Sequence, residues 1–165
     1  MITVRDIAGA AAICVAWTAR PPHARAECEP VKPVESRFVT DGGTVYDKER
    51  DLTWMRCSYG QTWDGKDRCQ GPVHPMDWDS AMSLQLPGEV RWRMPTREEL
   101  QSLIDAKCKK PAIDGRIFPD TALMAYWSST PIGDRAWHIN FRWGVAAWQY
   151  LRTNEYAVRL VHSGR

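Results

Sequence analysis

The cysteines do most to limit how this chain can fold. Five occur in its 165 residues: Cys14, Cys28, Cys57, Cys69 and Cys108. Cys14 lies in an N-terminal stretch that reads as an export signal spanning residues 1–26. Arg5 supplies a basic start, Ile7 to Trp17 forms an apolar run too short to span a bilayer, and Ala24-Arg25-Ala26 offers the small-x-small pattern of a cleavage site. Asp6 departs from the pattern, and a membrane-anchored N-terminus is the competing reading. Cleavage removes Cys14 and delivers the other four cysteines to the periplasm or the exterior, where an even set in a small domain points to disulfides. Three pairings are possible. Cys57–Cys69 is favoured because the intervening SYGQTWDGKDR is polar, holds two glycines and can close as a loop; Cys28–Cys108 then follows by elimination. Zinc is the rival use of these thiols, but no CxxC pair occurs and the histidines are scattered.

The length suits one domain, and 44% hydrophobic with 25% charged residues suits a packed one. The chain carries 22 basic and 20 acidic residues. The leader removes Arg5, Arg20, Arg25 and Asp6, so the remainder is formally neutral. Nucleic acid is therefore not an expected partner. A basic bias survives only at the end, where residues 121–165 hold five arginines against Asp134 and Glu155, a distribution that suits an acidic ligand but is more often a solvated face.

Residues 27–35 are rich in Pro and Glu and read as an extended lead-in to a domain at 36–165. SRFVTD and TVYD flank Gly42-Gly43, and LTWMRC follows a charged turn, which predicts a meander of short strands. A short helix is expected from about Asp77 to Leu84. A second opens at Thr96, which forms a capping box with Glu99, and places Leu100, Leu103 and Ile104 on one face. Tyr126–Ser129, Ala136–Arg142, Val145–Leu151 and Tyr156–Val161 are candidate strands. Strands, then helices, then strands predict an α+β domain, with two helices packed on a mainly antiparallel β-rich half.

Four strings in this order resemble a known family. Gly43–Cys69, WRMPTREELQSLID (Trp92–Asp105), YWSSTP (Tyr126–Pro131) and YAVRLV (Tyr156–Val161) are similar to landmarks of the Lcl C-terminal domain family, named for a bacterial collagen-like adhesin. The resemblance implies a C-type-lectin-like fold, related also to formylglycine-generating enzymes. It implies adhesin-like recognition, since the adhesin's domain contacts sulfated polysaccharides. A collagen repeat is missing, so trimerisation through a stalk is not implied.

The segment AWHINFRWGVAAWQYL (Ala136–Leu151) is the most informative for binding. With Trp143-Gly144 as a two-residue turn, Arg142 faces Val145. Trp137, Ile139 and Phe141 then share a core face with Trp148 and Tyr150, while His138, Asn140, Arg142 and Gln149 share a polar one. Trp143 stands exposed at the tip. A slip of one residue would expose Trp148 and Tyr150 instead. An exposed indole beside hydrogen-bonding side chains suits a pyranose ring, and Arg135, Arg142 and Arg152 suit sulfate or carboxylate groups. The expected partner is polysaccharide, with an envelope protein as the alternative.

WRMPT reads as architecture, with Trp92 and Met94 inward and Arg91 and Arg93 outward. Arg159 is expected to alternate out of the core and to pair with Glu98, Glu99 or Asp105. No calcium-lectin string occurs, and Asp64, Asp67, Asp77 and Asp79 make only a weak oxygen set. No metal or other cofactor is expected. His74, His138 and His162 have no catalytic partner suggested by spacing, and no cysteine after Cys108 supplies the reactive pair of formylglycine-generating enzymes. The expectation is a protein that binds without catalysing.

Overall fold

The computed structural model describes residues 27–28 and 37–165. The stretch expected to be an export signal, 1–26, and most of the expected lead-in lie outside the described residues. The elements are β1 (Glu27–Cys28), β2 (Phe38–Asp41), β3 (Thr44–Asp47), β4 (Leu52–Met55), β5 (Thr62–Trp63) and β6 (Cys69–Gln70), then α1 (Trp78–Met82) and α2 (Arg97–Gln101). After them come β7 (Cys108–Lys109), β8 (Ala125–Ile132), β9 (Arg135–Asn140), β10 (Val145–Ala147) and β11 (Val161–Ser163). All strand ladders are antiparallel.

The predicted meander forms. Gly42 takes a φ of 51° at the first turn, and β2, β3 and β4 pair in sequence, with β11 added on the far side of β4. A second sheet has the order β10-β9-β8. Both helices start where the sequence marks them. The Asp77 carboxylate accepts the Ser80 N–H ahead of α1, and Thr96 and Glu99 complete a reciprocal capping box ahead of α2. α2 packs against β8, β9 and β10, and α1 against β8. Both disulfides join the pairs read from the sequence. Cys28–Cys108 closes a separation of 80 residues and ties β1 to β7, while Cys57–Cys69 closes 12 residues around β5.

The last landmark string holds the two sheets together. Met55 donates its N–H to the Leu160 carbonyl at 3.0 Å, and Trp127 donates to the Ala157 carbonyl at 3.0 Å. Residues 157–160 therefore run between β4 and β8. The WRMPT segment closes the seam: Arg93 and Val161 exchange backbone bonds of 2.9 Å each, and Ser129 donates to the Pro95 carbonyl at 2.7 Å. Four strings far apart in sequence thus meet in one place. Ala157 and Val161 face one hydrophobic cluster with Trp54, Leu100, Phe118, Tyr126 and Phe141. Val158 and Leu160 face another with Trp78, Met94, Trp127 and Ala136.

This seam corrects the reading of Arg159. The residue does alternate with Val158 and Leu160, but the side opposite them is a second core rather than solvent. Arg159 is fully buried, donates to the carbonyls of Met55 and Arg56 and to Thr121 Oγ1, and lies 5.0 Å from the Phe118 ring centroid. Glu99, one of its expected partners, pairs with Arg93 at 2.8 Å instead. Burial opposes the charge on Glu99, but its bonds to Arg93 and Thr96 hold the carboxyl below its ordinary range.

Candidate functional site

β9 is the central strand of its sheet, with both edges paired, and it carries buried side chains on both faces. Ile139 and Phe141 enter the first cluster as expected, each with no exposed surface. Ala136 and His138 are buried on the opposite face. The expected solvent-facing row of His138, Asn140, Arg142 and Gln149 therefore does not form. His138 keeps only 1% of its surface and is enclosed by the rings of Trp127, Tyr150 and Tyr156, with centroids 6.0, 5.1 and 5.5 Å away. Its Nδ1 has no hydrogen-bond partner among the described residues. Burial holds the imidazole below its ordinary pKa, and burial beside Tyr150 pushes the Tyr156 hydroxyl up to about 12.

The turn is longer than two residues. Val145 pairs with Asn140 rather than with Arg142, which leaves Phe141 to Gly144 as the loop. Asn140 organises it. Its carbonyl accepts from Trp143 at 3.2 Å and Gly144 at 2.8 Å, and its Oδ1 accepts from Arg142 at 3.0 Å. The physical reason is legible in hindsight. A two-residue hairpin turn of the commonest type needs positive φ at both central residues, which suits Gly144, at φ 67°, but not an indole-bearing residue such as Trp143. Gly144 is further constrained because a Cβ there would lie 2.9 Å from the Ala112 Cβ.

β10 then ends at Ala147, and the chain leaves the ladder. Trp148 and Tyr150, expected in the core, are 47% and 40% exposed, and Trp143 is 61% exposed as anticipated. The anticipated residues fall into two groups. Asn140, Arg142 and Trp143 occupy the turn, where the Arg142 guanidinium lies 5.1 Å from the Trp143 ring centroid. Arg135, Gln149 and Arg152 meet at the opposite end. Arg135 donates to the Gln149 carbonyl, and Arg152 donates from Nε to the Arg135 carbonyl at 3.2 Å while covering the Trp78 ring at 4.2 Å. Five residue steps along β9 separate the ends by roughly 17 Å. Between them the exposed side chains of Val145, Trp148, Tyr150 and Leu151 supply apolar surface. The omission of Trp148 and Tyr150 from the anticipated site has a separate origin, the early end of β10 at Ala147, because the longer turn leaves the facing of that strand unchanged.

Chemically, this strip can stack rings and hold anions, because exposed aromatics lie between guanidinium groups at its two ends. Two of the four acidic candidates are used structurally. Asp64 Oδ1 accepts three N–H groups of its own loop, from Lys66, Asp67 and Arg68, and Asp77 caps α1. Among the described residues no group of three or more His, Cys, Asp or Glu side chains converges on a point.

A family model for the Lcl C-terminal domain matches residues 43–162. The chain belongs to the Lcl C-terminal domain family. The matched span takes in both sheets' main strands, both helices, the Cys57–Cys69 loop and the aromatic strip, while Cys28 lies before it. Neither the comparison with curated proteins nor that with solved structures found a match. Within the family span, the four landmark strings are the segments that build the seam. The strip at 132–151 lies largely between the third and fourth of them.

Proposed function

We propose that this chain is an exported, C-type-lectin-like recognition module that binds polysaccharide, preferentially anionic, through the aromatic and arginine-bearing strip. One observation carries the reading. Among the described residues, Ile132, Trp143, Val145, Trp148, Tyr150 and Leu151 are exposed large hydrophobics, and only Met82 and Val90 add to that set elsewhere. Exposed apolar surface gathered in one stretch is the mark of an interaction face. Arg135, Arg142 and Arg152 border it and favour sulfate or carboxylate. Membership of the Lcl C-terminal domain family supports an adhesin-like role, and the two disulfides suit an oxidising compartment. A purely binding role is supported by the position of His138, whose ring is shut beneath Tyr150 rather than presented beside the arginines.

The test is binding of the purified oxidised protein to an array of sulfated, carboxylated and neutral glycans. Retention by anionic glycans, weakened by Trp143→Ala and by Arg142→Ala with the fold intact, is the expected result. A blank array from folded protein rejects it. The aliphatic side chains of Ile132, Val145 and Leu151 favour a second reading, docking to an envelope protein, and capture of such a partner with Trp143 at the contact would replace the glycan reading.

A further inference from the structure

We infer that the protein carries a second ligand site, for a neutral saccharide ring, in the cleft under the Cys57–Cys69 loop. The cleft has a volume of about 490 Å³, which is within the range of small-molecule sites. Met55, Leu86, Tyr59 and Trp63 supply apolar and aromatic wall, and Thr62 and His74 supply polar groups. No Asp, Glu, Lys or Arg side chain lines it among the described residues. That composition excludes the ionic anchoring available on the strip and selects an uncharged ligand. An apolar face edged with hydroxyls, as in a pyranose, matches walls of this kind.

The cleft is already formed. Asp120 fastens the loop from outside, accepting from the Cys69 N–H at 2.9 Å and from Arg68 Nη2 at 2.7 Å. Arg56 supports Trp63 from below. Its guanidinium lies 3.9 Å from the ring centroid, while its three nitrogens each donate to a carbonyl, those of Ile117, Gly42 and Arg116. At Gly60, φ is 93° and a Cβ would fall 2.6 Å from His74 Cγ, so the imidazole packs directly on backbone. Its edge contact with Tyr59, at 6.4 Å between centroids, completes the rim. Such preorganisation lowers the ordering cost of binding. The Tyr59 hydroxyl, the Thr62 hydroxyl and the His74 ring nitrogens make no hydrogen bond to the described residues and so remain available to a ligand. The ligand class differs from that of the strip, and the inference does not depend on the strip's function.

The experiment follows assigned tryptophan indole signals by NMR while neutral methyl glycosides, and separately dextran sulfate, are added to the oxidised protein. At least one neutral glycoside should shift the Trp63 indole saturably, with Trp143 unmoved and with no competition from dextran sulfate. His74→Ala and Tyr59→Phe should each weaken that response about five-fold, the effect of one hydrogen bond, while Trp143→Ala leaves it unchanged. Tyr59→Phe keeps the ring, and unaltered signals from the buried indoles of Trp54 and Trp127 report that each variant is folded. No shift at Trp63 up to about 50 mM glycoside, a shift insensitive to both variants, or displacement by dextran sulfate would each overturn the assignment.

Discussion

Arg159→Met is the sharpest test of the seam. The guanidinium is fully buried and, among the described residues, has no carboxylate partner and leaves Nε without a hydrogen bond. Burial lowers its pKa, which is the signature of an expensive charge. Methionine fills much of the space between Phe118 and Tyr126 and removes that expense. It also strips partners from two carbonyls and the Thr121 hydroxyl, and a buried group left unbonded costs about 1–3 kcal/mol. Three such groups outweigh the several kcal/mol of relief from desolvation only narrowly, and the rest comes from imperfect packing of the thioether. The net expectation is a loss of about 3 kcal/mol. Urea titration followed by tryptophan fluorescence should show it as a midpoint lowered by about 1.5 M, taking a slope of about 2 kcal/mol per molar for a domain of this size. Arg159→Lys should cost at least as much, because a single ammonium keeps the charge but cannot span the carbonyls and Thr121 together. A methionine variant within about 0.5 kcal/mol of the parent would show that the bonds merely offset the burial of charge, and the seam argument would fail.

The other expectations are simpler. By loop length, replacing both cysteines of Cys28–Cys108 by serine should cost about 4.5 kcal/mol, and the same change at Cys57–Cys69 about 3 kcal/mol; equal losses in urea titration would argue against the loop account. Thr96→Ala should cost about 1 kcal/mol by opening the capping box, measured the same way, with no change in slope. For His138 the folded pKa lies below the ordinary value of 6.5, so the unfolded chain binds the proton first. Stability should be full above pH 6.5, fall as the pH drops from there to the folded pKa, and level off below it. His138→Gln should remove that component of the slope, and a variant with an unaltered pH profile would show that the ring titrates normally.

Much of the architecture is legible in the residues. The meander around Gly42, both helix starts and the Cys57–Cys69 bridge follow from turn chemistry, capping and loop closure, all of which act over short stretches of chain, while Cys28–Cys108, 80 residues apart, follows only by elimination. Arg159 and His138 were misread for one shared reason. Period-two alternation separates the two sides of a strand, but it does not reveal whether one side meets water or a second sheet. Trp148 and Tyr150 were misread because the ladder was expected to run on to Leu151; the longer loop leaves the facing of β10 unchanged, and it is the end of pairing at Ala147 that turns these rings to solvent. The cleft escaped notice because its walls come from β3, β4, the disulfide loop, His74 and Leu86, and no local pattern announces that they converge.

The brevity of β10 has a consequence for solubility. It is the outer strand of its sheet and offers only three residues of unpaired backbone before the chain departs at Trp148. A long, flat border beside so many indoles would invite another polypeptide to extend the sheet, the usual start of aggregation. By stopping early, the protein can display sticky side chains while withholding the main-chain template that would make them hazardous.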